Sequence, residues 1–96
     1  MIVELSIKAD ADIENIYVYS FQNFGQSKAD AYYLKIKERL SDIKDNPKIG
    51  RNTDFIKKST RKLSVEKHDI YYKILGNRIF IIRILHQNMY ARFHLK

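Results

Sequence analysis

The arrangement of the chain is clearest in residues 69–85, which read DIYYKILGNRIFIIRIL. Asp69–Leu75 places Ile, Tyr and Ile on one face at every second position, and Arg78–Leu85 is the most apolar strand-like run. Gly76 and Asn77 stand between them, and this pair predicts a tight hairpin turn. We therefore predict an antiparallel hairpin in which Arg78–Leu85 is a central strand, covered on at least one face by helices.

A short strand and a helix are predicted at the start of the chain. Residues 2–7 read IVELSI and favour a strand. From Ala9 to Phe24 the apolar residues recur in steps of three and four, which is typical of a helix with one buried stripe. Gly25 is a suitable C-terminal stop. The predicted stripe consists of Ala9, Ile13, Ile16, Tyr17, Phe21 and Phe24.

A second helix follows at once. Ser27 and Asp30 resemble a capping box in which Asp replaces the usual Glu. The helix should end at Asn46-Pro47, because the residue before proline disfavours the helical conformation. Its predicted buried stripe is Ala29, Tyr33, Ile36, Leu40 and Ile43.

The predicted fold class is α+β, with the order β-α-α-β-β-β. Residues 48–60 form a basic, polar connection, and the strands resume at Arg61. The two helices make a hairpin that packs on a small, mainly antiparallel sheet, which the first strand joins. With no linker or repeat to divide it, we expect residues 1–96 to form a single domain.

The positive charge lies in the second half of the chain. Residues 1–50 contain seven Lys/Arg and eight Asp/Glu, a balance of −1, whereas residues 51–96 contain eleven and three, a balance of +8; together they give the net charge of +7. Such a one-sided distribution attracts nucleic acid or an acidic protein partner. The alternative is that the excess charge serves solubility alone.

Several classes of site and location are disfavoured. The chain has no cysteine, which excludes disulfides and thiolate metal sites, and the three histidines lack metal-ligand spacing, so we expect no metal and no cofactor. The N-terminus does not resemble a signal peptide. No apolar run approaches the ~20 residues that span a bilayer. We expect a cytoplasmic protein without a membrane partner.

An ordered set of motifs extends over nearly the whole chain. They are Ala9-x-x-Asp12-Ile13-x-x-Ile16-x-x-Tyr19, Gly25, Tyr32-Tyr33, Leu40, Asn46-Pro47-x-x-Gly50-Arg51, Arg61, His68-x-Ile70-x-Tyr72 and Arg83-Ile84-Leu85-His86-x-x-Met89. In this order and spacing they resemble the ParE branch of the ParE/RelE toxin superfamily. After Met89, ParE-like sequences typically have an acidic residue, whereas this chain has Tyr90.

The resemblance implies a toxin of a type II toxin–antitoxin system, held in a hetero-oligomer by an acidic-tailed antitoxin, ParD-like or other. It implies inhibition of DNA gyrase, through the A subunit and possibly the nearby DNA, rather than an enzymatic activity. The residues expected to bind the target are Arg61, Arg83, His86, Met89 and Tyr90. A basic surface for the antitoxin or for phosphates would comprise Arg51, Lys57, Lys58 and Lys62.

An alternative is the RelE branch, whose members are ribosome-dependent messenger RNA endoribonucleases and often use a C-terminal tyrosine. Cleavage would need a base, an acid and a cation beside the phosphate, with candidates Arg61, Arg83, His86 and Tyr90. A dedicated nucleic-acid-binding module is a third possibility, but no matching motif is present.

Structural roles for the same residues are also open. Arg61 can pair with Asp69 or Glu66 across neighbouring strands. His86 can bond the backbone at a strand end, and His68 is expected to be structural there. Arg83 interrupts an apolar strand and needs a partner or an exposed face. Packing roles are expected for Tyr17, Tyr32, Tyr33 and Tyr72.

Overall fold

A computed structural model of the chain describes residues 1–95. As predicted, two helices pack on a mainly antiparallel sheet; the sheet has five strands instead of the predicted four, and a short 3-10 helix follows it. One strand was missed, since a two-residue strand forms inside the connection predicted for residues 48–60. The elements are β1 Ile2–Leu5, α1 Ile7–Phe24, α2 Gln26–Asp45, β2 Arg51–Asn52, β3 Arg61–Val65, β4 His68–Leu75, β5 Arg78–His86 and the 3-10 helix Ala91–Phe93.

The strands lie in the order β1-β5-β4-β3-β2, so the apolar β5 is internal, as predicted. β1 pairs with β5 in parallel, and the other pairs are antiparallel. Between β4 and β5 the register shifts at one point. Tyr71 lies opposite Arg83 but Tyr72 lies opposite Ile81, so Ile82 is an extra residue in β5. This β-bulge changes which residues of β5 face the helices.

The helices begin and end close to the predicted positions. Ser6 caps α1, because its Oγ accepts a hydrogen bond from the Ala9 amide at 2.9 Å. Gly25 ends α1 with a φ of 87°, a conformation that favours glycine. The predicted capping box of α2 is wrong. The helix already begins at Gln26 and has no side-chain cap, and Asp30 instead accepts a hydrogen bond from the Tyr17 hydroxyl at 2.7 Å.

The main core lies between the helices and the sheet. Five of the eleven predicted stripe residues are buried and three are partly buried, but Phe21, Phe24 and Tyr33 are 49%, 57% and 38% exposed. Phe21 and Phe24 are exposed because of the position of α1. Asp12 already contacts the amide of Ile84 near the end of β5, so the last turns of α1 extend past the sheet. Tyr32, rather than Tyr33, packs against the core.

A second, smaller cluster covers the other face of the sheet. Ala91 and Leu95 of the C-terminal segment pack there against the strands. Leu95 is 1% exposed, and its carbonyl oxygen accepts a hydrogen bond from Lys57 Nζ. Within residues 1–95, no helix is long and apolar enough to cross a membrane.

Candidate functional site

An open groove of about 820 Å³ lies between the helices and the end of the sheet where β4 begins and β5 ends. Both helices, the turn before β4 and the segment after β5 contribute to its walls. Its apolar lining includes Ile16, Tyr19, Phe24, Tyr32, Leu85 and Met89. An apolar groove with a few convergent polar groups is a common form of binding site.

Arg83 is held in the wall of this groove by Asp12 of α1. Nε and Nη2 of Arg83 donate to the two carboxylate oxygens of Asp12 at 2.8 Å each. The two side chains are 17% and 13% exposed. These hydrogen bonds raise the pKa of Arg83. The charge that interrupts the apolar strand is therefore paired in a two-bond geometry, as a partly buried charge requires.

Two histidines face each other across the strands at the end of the groove. His68 is the first residue of β4, and His86, the last of β5, lies opposite it. Their ring centroids are 5.2 Å apart, in an edge-to-face arrangement. Nδ1 of His68 is 2.6 Å from the Tyr32 hydroxyl, which also donates to the carbonyl of Val65 at 3.0 Å. Nδ1 of His86 accepts from the Asn88 amide at 3.1 Å.

Burial changes the protonation of this cluster. Burial lowers the pKa of His68, and the neighbouring His86 lowers it further, while the charges of Asp69 and Asp12 oppose the change. Burial also raises the pKa of Tyr32. His68 is therefore neutral at pH 7 in the isolated chain, and Tyr32 keeps its proton.

The rim of the groove is positively charged. Lys28 and Lys67 lie along it, and Lys28 is also 5.9 Å from the centre of the Phe24 ring. Lys35 pairs with Glu66 at 2.5 Å, and both side chains are about half exposed. The groove can therefore bind a ligand that combines apolar groups with negative charge.

The five residues expected to bind the target do not all lie at the same place in the structure. Arg83, His86 and Met89 line the groove. Tyr90 is 70% exposed and stacks edge-on against Phe93, with 6.2 Å between the ring centroids. Arg61 lies apart from them, in a small depression beside β2. The four residues considered for RNA cleavage, which include Arg61 and Tyr90, do not line a common cavity.

The predicted pairing of Arg61 with Asp69 or Glu66 is wrong. Arg61 donates to the carbonyl of Gly50 at 2.7 Å. The register of β3 with β4 places Ser64 opposite Asp69, and Lys62, two positions from Ser64 on the same face, reaches that carboxylate at 3.6 Å. Glu66 pairs with Lys35 instead.

The four residues of the expected basic surface have different environments. Lys57 bonds the carbonyl of Leu95, and Lys62 pairs with Asp69. Arg51 and Lys58 are exposed. Two of the four therefore stabilise the fold, and the other two remain available for a partner.

Sequence reasoning missed how Asp12, Tyr32 and His68 contribute to the groove. Asp12 was noted only as part of the family motif, and 71 positions separate it from Arg83. The predicted hairpin turn indicated only approximately that the two histidines lie close together. Strict pairing across Gly76-Asn77 places Leu85 opposite His68, and the bulge moves His86 to that position. Within residues 1–95, no three His, Asp or Glu side chains form a candidate metal site.

Comparisons with known proteins agree on the family. Residues 3–90 match the family model described as the ParE toxin of type II toxin–antitoxin system, parDE. The chain is 34% identical over 91 residues to Toxin ParE1 of Caulobacter vibrioides, covering 95% of this chain and 94% of that protein. It is also 34% identical over 86 residues to Toxin ParE1 of Mycobacterium tuberculosis, covering 88% of each.

A solved structure has the same fold. It is described as the chromosomal ParDE TA system from P. aeruginosa, and its matched chain is 26% identical with a TM-score of 0.79. The match covers 90% of this chain and 95% of that one. The likeness confirms the predicted α+β arrangement.

Proposed function

This chain belongs to the ParE family of toxins of type II toxin–antitoxin systems, and from that membership we propose that it inhibits DNA gyrase and is neutralised by its own antitoxin. The observation that carries the proposal is the family match across residues 3–90. ParE-type proteins trap the cleaved complex of gyrase with DNA. On this proposal the chain binds an enzyme and is not one itself, and it acts in the cytoplasm, where gyrase works.

The gyrase-binding surface is proposed to be the end of the groove and the segment that follows it. His86 and Met89 line the groove, and Met89 and Tyr90 are 50% and 70% exposed. Arg92 lies 5.6 Å from the centre of the Phe93 ring and adds a positive charge beside these aromatic groups. Exposed aromatic and arginine side chains are common energetic centres of interfaces.

Arg83 and Arg61 have different proposed roles. Arg83 is occupied by Asp12, so it supports the groove wall and presents little charge to a target. Arg61 is proposed to contact gyrase or DNA from the other side of the molecule, together with the exposed Arg51. Lys58 extends the same basic half of the chain.

Neutralisation is proposed to occur in the groove. An acidic segment of the antitoxin would place apolar side chains between α1, α2 and Met89, and its carboxylates beside Lys28 and Lys67. The same segment would cover His86 and Met89, which belong to the proposed gyrase-binding surface. The antitoxin therefore competes directly with gyrase and forms a hetero-oligomer with the toxin.

RNA cleavage on the ribosome has weaker support. Its candidate residues are spread over separate surfaces, and the guanidinium of Arg83 is already paired. A base, an acid and a phosphate-binding cation would have to meet at one place. We therefore keep messenger RNA cleavage as an outcome of the test.

The proposal is tested by adding the purified chain to gyrase, supercoiled plasmid and ATP, and separately to translating ribosomes. We expect linear DNA after the protein is removed by denaturation and protease, and intact messenger RNA. Tyr90→Ala should reduce the linear product by about tenfold, which corresponds to a loss of roughly 1.4 kcal/mol at an interface. Phe55→Ala, at an aromatic residue that is 80% exposed, is the matched control and should have no effect.

Cuts in messenger RNA without linear plasmid would contradict gyrase inhibition. Equal losses from Tyr90→Ala and Phe55→Ala would contradict the proposed surface. The antitoxin encoded in the same operon is then added in equimolar amount, and we expect it to abolish the linear product. Persistent cleavage in its presence would contradict neutralisation by that partner.

A further inference from the structure

We propose that the His68–His86 pair is a carboxylate-binding site, at which His68 takes up one proton when an acidic side chain of a partner segment binds. The proposal rests on the proposed antitoxin only for the source of that segment. The site itself is argued from the hydrogen bonds of the two rings, their access to solvent and the charges around them.

The backbone determines the tautomer of His86. Its Nδ1 lies 3.1 Å from the amide nitrogen of Asn88. An amide N–H can only donate, so Nδ1 must accept and carries no proton. In the neutral ring the proton is then on Nε2. His86 therefore offers an N–H donor without becoming charged, and protonation at Nδ1 would break its bond to Asn88.

We assign the opposite tautomer to His68. The Tyr32 hydroxyl has a single proton, and the carbonyl of Val65, 3.0 Å away, can only accept it. As part of this proposal we assign the hydroxyl proton to Val65, so that the contact of 2.6 Å between the hydroxyl oxygen and Nδ1 of His68 is a bond in which Nδ1 donates. Nε2 of the neutral ring is an acceptor. Protonation at Nε2 adds a donor there and leaves the bond to Tyr32 intact.

Both Nε2 atoms are available to a ligand. The hydrogen bonds of His68 and His86 within residues 1–95 involve Nδ1 alone. No buried side-chain nitrogen or oxygen in this part of the chain lacks a partner. A buried Nε2 of either partly exposed ring would be such an atom, so both Nε2 atoms must reach solvent. Both residues line the groove.

The charges around the pair favour an anion. Three carboxylates lie nearby, and each has a cationic partner: Asp12 with Arg83, Glu66 with Lys35, and Asp69 with Lys62. Lys28 and Lys67 also line the groove and make no ion pair within residues 1–95. From α2, the hydroxyl of Tyr32, which is bonded to Val65, and the paired Lys35 also line the groove, and from α1 the hydroxyl of Tyr19 does.

A carboxylate matches this site only after His68 is protonated. In the free chain one Nε2 accepts and the other donates, and a carboxylate oxygen facing the accepting nitrogen would be repelled. With a proton on Nε2 of His68, both rings donate to the ligand, and the imidazolium charge is paired. Burial holds His68 neutral at pH 7 before binding. The ligand must therefore bring about proton uptake, and its affinity must rise as the pH falls.

The test is calorimetry on the full chain, with capped hexaglutamate as the probe at constant ionic strength. We expect net proton uptake, obtained from buffers of different ionisation enthalpy, that reaches about half a proton per bound ligand for a one-unit rise in the pKa of His68. The dissociation constant should fall about tenfold from about pH 7.5 to about pH 5.5, as for a one-unit rise in the pKa of His68. The probe stays largely ionised there, because glutamate titrates near ~4.3.

Variants assign the effect to its residues. His68→Gln should remove the pH dependence, and His86→Gln should weaken binding equally at both pH values. His94→Gln, at the third histidine and outside the groove, is the matched control. If His68→Gln does not fold, Tyr32→Phe is used, and loss of the acceptor for Nδ1–H should reduce proton uptake.

Absence of probe binding at the lower pH, binding by the unaltered chain without proton uptake, or an unchanged pH dependence in His68→Gln would each overturn the proposal. Binding of hexaglutamate without proton uptake would mean that the carboxylate binds the neutral rings, with Nε2 of His68 already carrying a proton. The antitoxin of the same operon is measured in parallel. If it fails to bind while hexaglutamate binds with proton uptake, the proposed partner is wrong and the carboxylate site stands.

Discussion

Asp12 of α1 and Arg83 of β5 form a two-bond ion pair at the point where the sheet loses its first strand. β1 pairs with β5 only as far as Leu5, which lies opposite Ile81. Beyond that point the amide of Ile84 donates to Oδ2 of Asp12 at 3.0 Å, so a helix side chain replaces the missing strand. The pair joins α1 to the sheet and forms one wall of the groove.

We expect Asp12→Ala to destabilise the fold by about 3 kcal/mol, because a partly buried guanidinium keeps only its 3.5 Å contact with the His94 carbonyl and the Ile84 amide loses its partner. Urea unfolding followed by circular dichroism measures the change. The matched control is Glu4→Gln in the exposed pair of Glu4 with Arg78, whose side chains are 44% and 50% exposed. That change should cost less than about 1 kcal/mol. Equal losses would contradict a special role for Asp12.

The lowered pKa of His68 makes stability depend on pH. The unfolded chain binds the proton more tightly than the folded one, so protonation favours unfolding. The contribution of His68 is fully present above the unfolded pKa of about 6.5 and is lost as the pH falls from there through the folded pKa. Thermal unfolding between about pH 7.5 and 5 should show this loss in the unaltered chain. It should be smaller in His68→Gln; identical pH profiles would refute it.

The two histidines should have opposite tautomers in the free chain above pH 7. Long-range proton–nitrogen NMR correlations report which ring nitrogen carries the proton. We expect Nδ1–H for His68, because it donates to Tyr32, and Nε2–H for His86, because its Nδ1 accepts from Asn88. The same tautomer at both rings would contradict the hydrogen bonds described above.

Tyr72 holds the end of α2 against the sheet. Its buried hydroxyl accepts from the Gly50 amide at 2.9 Å and donates to the Pro47 carbonyl at 2.7 Å. Tyr72→Phe should cost about 2 kcal/mol, since both backbone groups lose their partner. Gly50→Ala should also destabilise, because a Cβ there would lie 2.5 Å from the hydroxyl oxygen. In chemical denaturation, Tyr33→Phe on the exposed side of α2 should leave the midpoint unchanged.

Leu95 anchors the C-terminal segment on the face of the sheet opposite the helices. Leu95→Ala should lower the free energy of unfolding by about 2–4 kcal/mol, because the side chain is 1% exposed and leaves a cavity. Phe93→Ala, at a side chain that is 64% exposed, is the control and should change it by less than about 0.5 kcal/mol. If both variants unfold alike, the segment is not anchored through Leu95.

Sequence patterns predicted the helices, four of the five strands and the central position of β5. These features follow from the spacing of apolar residues and from Gly25, Pro47 and the Gly76-Asn77 turn, which act over a few neighbouring positions. β2 was not predicted, because a strand of two residues, Arg51 and Asn52, is too short to show alternation of apolar and polar residues. Three of the five expected target residues, Arg83, His86 and Met89, do share one groove.

Local spacing thus sufficed for the order of the elements and for the basic character of the second half, because periodicity and charge are properties of neighbouring residues. Only the tertiary structure decides which side chains come into contact. Continued alternation from Ile79 and Ile81 would turn Arg83 toward the helices and His86 away from them. The extra residue Ile82 reverses that alternation, so Ile84 packs in the main core and His86 faces His68. A bulge, like the contact of Asp12 with Arg83, depends on packing between distant segments, and no short stretch of sequence encodes it.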